Sequence, residues 1–204
     1  MESTDQLVEE LTGAAPTLMR PPYGRVNGDV LAAAGHPVVL WSLDVQDAVS
    51  TSAEEILARL LTAQDGDIVR VHDGVQATLE ALEQGLPALR EAGIQPILMN
   101  LPPLLSQWFF DWWCRDLDQA AVRTWLGDVS NIYAHQERYS RTVESLAREE
   151  DVPLVDVRGT FLAHGHLETL LCEDGTHPNS TGQALIGQAF RKFAEAQESL
   201  PETA

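Results

Sequence analysis

The stretch DIVRVHDGVQATLEALEQGLPALREAGIQPILMNL, residues 67–101, decides how the chain is read. It opens on a short apolar run, DIVRV (67–71), and closes on a second one, QPILMNL (95–101). Between them, residues 77–92 carry apolar positions at helical spacing, and Gly93 stands where a C′ glycine ends a helix. Two strands joined by a helix of this length run parallel, with a right-handed crossover. Pro87 lies inside the helical pattern and lacks a backbone N–H, which predicts a kink or a split there.

The same alternation extends in both directions. TLMR (17–20), PVVLWSL (37–43) and VPLVDV (152–157) read as three further buried strands. Helical patterns occupy 3–12, 138–150 and 180–196, and Ser52-Ala-Glu-Glu55 is a capping box ahead of ILARLL. Five strands alternating with helices point to an α/β domain with a mainly parallel sheet and flanking helices. No repeat, low-complexity tract or linker interrupts the 204 residues, which read as a single domain, 1–204.

Composition narrows the function classes. The formal net charge is −18, from 31 acidic and 13 basic residues. Nucleic acids and anionic membrane surfaces are bound through Lys/Arg patches, so neither is an expected partner. Met1 leads into the acidic ESTDQLVEEL rather than into a basic-then-apolar leader, and no apolar run approaches about 18 residues. A cytoplasmic location is therefore expected. Cys114 and Cys172 form no metal-binding spacing and are read as free thiols.

Residues 103–137 stand apart, holding four of the five tryptophans. The segment reads as two helices that pack aromatics on the core, or as a substrate lid.

Three stretches in residues 1–92 carry a resemblance. TGAAPTLMRPPYG (12–24), VVLWSLDVQDA (38–48) and GDIVRVHDG (66–74) resemble, in order and spacing, the C-terminal half of the NodB-type polysaccharide deacetylases. The resemblance implies metal-assisted removal of acetyl from an N-acetyl sugar. It implies that Arg20 steadies the catalytic carboxylate, that Asp47 holds His72 and raises its pKa, and that His72 acts as general acid. The family's Asp-Asp pair and His-x-x-x-His metal ligands occur nowhere in this sequence. Without a metal, water keeps a pKa near ~15.7 rather than ~7, so the family's mechanism is not available. No cofactor is expected. A divalent metal such as zinc could be held only by an improvised set, such as His72, Asp73 and a third ligand. His164-x-His166 reads as a solvated loop.

Residues 93–198 resemble a different family, the C-terminal half of the SGNH/GDSL hydrolases. GIQPILMNLPP (93–103) looks like its fourth strand and the following turn, and residues 125–162 like its penultimate helix and fifth strand. CEDGTHPNSTGQALIGQAF (172–190) carries its Asp-x-x-His block. The resemblance implies His177 as general base, oriented by Asp174. The nucleophile belongs in Gly-Asp-Ser after the first strand, where this chain reads RPPYG. The oxyanion glycine of the second block is not recognisable, and the Asn of the third block is replaced by His72-Asp73-Gly74. Ser42 is the nearest substitute nucleophile, and GDVS (127–130) does not follow a strand.

The chain thus looks chimeric, with a seam near residues 87–96. Together the two resemblances predict a flavodoxin-like, SGNH-like three-layer α/β/α domain, with an open half-barrel that dimerises over its edge as the alternative. Arg20, Asp44, Asp47, His72, Asp73, Asp174 and His177 are expected at one rim, where ligands of open α/β sheets bind. Three functional expectations follow: residual hydrolysis of a small-molecule or carbohydrate ester through Asp174–His177; a recombined or engineered domain without activity; or a module that binds acetylated glycans.

Overall fold

The computed structural model describes residues 5–6, 9–10, 13–21, 24–72 and 74–198. Residues 5–6 and 9–10 are helical, and the rest of the helix expected over 3–12 lies outside the described residues. All five expected strand runs enter parallel pairing, but each does so over one or two residues. Met19 bridges Val38. β1 (Leu43–Asp44) pairs with β2 (Val69–Arg70), with Leu43 opposite Val69. β3 (Leu98–Met99) pairs with β4 (Leu154–Val155), with Leu98 opposite Leu154.

The predicted five-stranded sheet is not formed among the described residues. Two two-stranded sheets and the isolated Met19–Val38 bridge stand in its place. No ladder joins β2 to β3, and the apolar side chains beside that gap stay open: Ile68, Val71, Ile97 and Met99 are all exposed. A continuous sheet flanked by helices would have covered them. In the first half the neighbours follow chain order, since the run containing Met19 meets the second run, and the second run meets β2.

Helices do most of the packing. α1 (Gly28–Ala34) is capped by Asn27, and α2 (Ala53–Leu60) by Ser52, whose hydroxyl accepts from Glu55 N at 3.3 Å as the capping box requires. α3 (Gln76–Glu91) is the crossover helix. It runs unbroken through Pro87, so the expected split does not occur. The carbonyl that Pro87 deprives of a donor belongs to Glu83, on the exposed face, where water can serve it. After α3, Gly93 has φ +83°, and Ile94 N donates to Leu89 O.

α3 is also where the two halves meet. Its residues Ala81 and Leu89 are buried with Val45, Ile56 and Leu60. Leu86 is buried with Leu146 and Val152, with Leu79, Leu82 and Leu98 packed against them. Each large side chain so buried contributes roughly 1.5–3 kcal/mol. A third cluster, with Val155, Val157, Phe161, Leu170, Leu171 and Ala189, joins β4 to α7 (Val157–His164) and α8 (Ser180–Glu198).

The Trp-rich segment folds as α4 (Ser106–Trp113) and α5 (Gln119–Leu126), followed by α6 (Ser130–Glu149). Two helices packing aromatics on the core were expected, and of the segment's phenylalanines and tryptophans only Phe110 is fully buried, whereas Trp108, Trp112, Trp113 and Trp125 are all exposed. No helix of the described residues is long and apolar enough to cross a membrane.

Candidate functional site

Two histidine–carboxylate pairs are built by different means. Asp47 follows β1 and His72 follows β2, so the parallel pairing brings them together across 25 residues of chain. Asp47 Oδ1 lies 2.8 Å from His72 Nδ1, and Oδ2 accepts from His72 N at 2.6 Å and from Thr78 Oγ1 at 2.9 Å. The Asp47 side chain is fully buried. Burial alone pushes its carboxyl up, but the bonds from His72 and Thr78 outweigh burial and hold it below the usual carboxylate range. An ionised Asp47 can only accept, so Nδ1 of His72 is the donor in this bond.

The rest of this half surrounds that pair. Asp44 accepts from Arg70 Nη2 at 2.7 Å, and the Arg70 guanidinium lies 4.1 Å from the centroid of the Trp41 ring. The Arg70 Nε is buried without a hydrogen-bond partner among the described residues. Arg20, expected to steady the carboxylate, donates to Val39 O at 3.2 Å instead. Asp73, Pro22 and Tyr23 lie outside the described residues. A small, mostly apolar cleft of about 80 Å³ opens beside His72, and Tyr139 of α6 forms part of its far wall.

Asp174 and His177 are three residues apart and are joined by a tight turn. Cys172 N donates to His177 O at 2.8 Å, which closes the loop. Asp174 Oδ1 accepts from Thr176 N and His177 N, both at 3.0 Å, and Oδ2 accepts from the His177 ring at Nδ1. Burial again pushes this carboxyl up, and the bonds from His177 and Thr176 more than offset it, so Asp174 also sits below its ordinary range. The imidazole of His177 is 69% exposed and the Asp174 side chain only 13%. The turn is docked on α4: Gly175 O accepts from Leu105 N at 2.8 Å. Gly175 has φ +72°, and a Cβ there would come within 2.6 Å of Phe109 N, so the position admits only glycine. Gly182 likewise lets the start of α8 approach Leu170 O, which a Cβ would meet at 2.3 Å.

Asp44, Asp47 and His72 gather on the first sheet, and Asp174 and His177 on the turn beside α4. Neither a hydrogen bond nor an ion pair joins the two groups among the described residues. No ladder joins β2 to β3 among the described residues.

Among the described residues, no serine is hydrogen-bonded to either histidine. Ser42 Oγ is engaged on the neighbouring strand, accepting from Ile68 N at 2.8 Å. Ser130, in GDVS, donates to Asp128. Cys172 is near Asp174, but desolvation, then the carboxylates of Asp174 and Glu173, push its thiol up. A neutral thiol is a poor nucleophile. Both cysteines are free. The described residues do not fit a catalytic metal either, since no group of three or more His, Cys, Asp or Glu is placed to hold one.

One buried cluster escaped the sequence reading. Asn100, fully buried after β3, donates to Asp156 Oδ1 at 2.7 Å and to Glu144 Oε1 at 3.0 Å, and accepts from Arg158 N at 2.9 Å. The asparagine stands at the end of an apolar run, which is the one signal that could have drawn notice.

No protein-family model matches the chain. Peptidoglycan-N-acetylglucosamine deacetylase PgdA of Listeria monocytogenes is 38% identical over 98 residues, 48% of this chain and 21% of the relative. Peptidoglycan-N-acetylmuramic acid deacetylase PdaC of Bacillus subtilis is 28% identical over 101 residues, 49% of this chain and 22% of the relative. Over about half its length, the chain has polysaccharide deacetylases as homologues. It spans only about a fifth of the length of those curated relatives. A GDSL-like lipase from Bacteroides thetaiotaomicron aligns over 96% of this chain and all of its own, at 12% identity and a TM-score of 0.44. The chain is a hydrolase-related α/β protein.

Proposed function

We propose that this chain combines a deacetylase half and an esterase half, each with an incomplete active site, and that it retains weak hydrolysis of acetyl esters through Asp174–His177. The observation that carries this reading is the exposed imidazole of His177, held by a carboxylate that is itself locked by two backbone N–H groups. In that arrangement Nδ1 is committed to Asp174 and Nε2 is free to take a proton. His177 Nε2 removes a proton from water, and the water oxygen bonds to the acyl carbon. The ester C–O bond then breaks, and the imidazolium returns the proton to the leaving alkoxide. General base catalysis of this kind contributes about 10²–10⁴-fold. Without a serine and an oxyanion hole, nothing larger is expected.

Asp47–His72 has the same internal order, but among the described residues no group of three or more His, Cys, Asp or Glu is placed to hold a metal, so no step is routed through one. Its role in this reading is to orient the end of β2. The acetylated-carbohydrate class comes from the relatives, whose names describe deacetylation of peptidoglycan sugars.

Release of p-nitrophenol from p-nitrophenyl acetate tests the proposal. Activity above buffer that is lost in His177→Ala and kept in His72→Ala is the expected result. Rates equal to buffer for all three proteins would reduce the chain to a folded domain without catalysis. A zinc-dependent rate lost in His72→Ala would move the chemistry to the other half.

A further inference from the structure

We infer that Trp108 and Trp112 form a stacking subsite for a neutral, acetylated pyranoside, adjoining the Asp174–His177 turn. The inference rests on the proposed ester hydrolysis and names the substrate class that the same site would take.

Helix α4 carries SQWFFDWW, in which positions 108 and 112 are one helical turn apart and share a face. Phe110, on the opposite side, is fully buried and anchors the helix, while Phe109 and Trp113 contact each other with ring centroids 5.9 Å apart. Burial of Phe110 therefore leaves the Trp108–Trp112 face outward, with 37% and 38% of those residues exposed. The two indoles line a cavity of about 360 Å³ with Asp111, Arg115 and Glu173. That volume lies within the range of small-ligand pockets.

The lining selects a ligand. Three of its five side chains are charged, which disfavours a purely apolar acyl chain. Two carboxylates on a chain of net charge −18 disfavour an anion. A cation is already supplied from within, because the Arg115 guanidinium stands 4.5 Å from the centroid of the Trp112 ring. A neutral sugar fits what remains: its C–H face can lie on an indole, and its hydroxyls can donate to Asp111 and Glu173.

The subsite and the histidine are mechanically linked. Glu173 lines the cavity and immediately precedes Asp174, and the next residue, Gly175, packs against Trp108 Cβ. A sugar on the tryptophans is thereby held beside the turn that carries His177.

The test is calorimetric titration of the whole chain with the N-acetylglucosamine trimer, followed in parallel by tryptophan fluorescence. Saturable heat is expected, weakened about tenfold or more in Trp112→Ala and less in Trp112→Phe, which keeps a ring. Far-UV circular dichroism of each variant shows whether it folds, and the Phe variant keeps the test open if the Ala variant does not. His177→Ala is expected to bind the trimer as the parent does while losing ester hydrolysis. Binding without hydrolysis would sustain the subsite and sink the proposed catalysis; hydrolysis without binding would do the reverse. Absence of saturable heat, or tighter binding of the cationic glucosamine trimer, overturns the inference.

Discussion

Asp47 holds His72 at two points, accepting from its backbone N at 2.6 Å and meeting its ring Nδ1 at 2.8 Å. The carboxylate therefore fixes both where the chain leaves β2 and how the imidazole faces. Asp174 does the same for His177 within a four-residue turn. The two pairs share one chemical plan, but one depends on strand pairing and the other is local.

Asp47→Asn is expected to destabilise the fold by about 1–3 kcal/mol, because a buried acceptor of three bonds is replaced by a group that accepts at one atom only. Asp47 has a lowered pKa in the folded protein, so its contribution is full above the ordinary carboxylate value of ~3.9. It is lost as pH falls through the lowered folded value. Urea midpoints should therefore differ between wild type and variant at neutral pH and converge in acid. A gap that stays constant down to the acid limit would contradict the assignment.

Asp174→Asn separates orientation from turn geometry. The amide oxygen can still accept from Thr176 N and His177 N, so the loop survives. Its NH₂ group then faces Nδ1 and favours the wrong tautomer. Ester hydrolysis should drop at least about tenfold with little change in thermal midpoint. Equal activity in the two proteins would show that Asp174 does not orient the base.

Gly175→Ala places a methyl group 2.6 Å from the backbone N of Phe109, at a residue with φ +72°. A cost of roughly 1–3 kcal/mol is expected from the backbone conformation alone. The turn must also part from α4, so ester hydrolysis should fall together with the melting temperature. An unchanged melting temperature would argue against that docking.

Asn100→Leu removes one buried and two part-buried hydrogen bonds and leaves the N–H of Arg158 without its acceptor, while Asp156 keeps its bond from Gly159 N. Each unsatisfied group costs about 1–3 kcal/mol, more where charged. Loss of cooperative unfolding by heat is the expected outcome. A variant as stable as wild type would mean that the network carries no stability.

Cys172 is exposed at its surface, yet its thiol pKa is raised. Alkylation by iodoacetamide near neutral pH should be slower than for a cysteine in a short unstructured peptide, and should rise with pH beyond the peptide's range. Faster labelling than the peptide would reverse the sign of the assigned shift.

Local features were legible in the sequence because their causes are local. The Ser52 cap, the crossover helix over 76–91, the glycine after it and the Asp174–His177 turn each depend on residues within a few positions of one another. The five apolar runs were legible for the same reason, as alternation of strand and helix signals. Asp47 and His72 were paired only through a family pattern, since nothing within either segment specifies a partner 25 residues away. Arg20's bond to Val39 O was not legible, since it depends on a neighbour that the fold supplies.

The sequence by itself determined the α/β alternation and the local Asp174–His177 turn. Only the tertiary structure decided that β2 and β3 do not pair among the described residues, and that Asp47 and His72 meet across β1 and β2. It also decided that the tryptophans of α4 face outward. Pairing between strands and the choice of buried helix face depend on which surfaces meet across the whole chain. A run of apolar residues states that it should be covered, not by what.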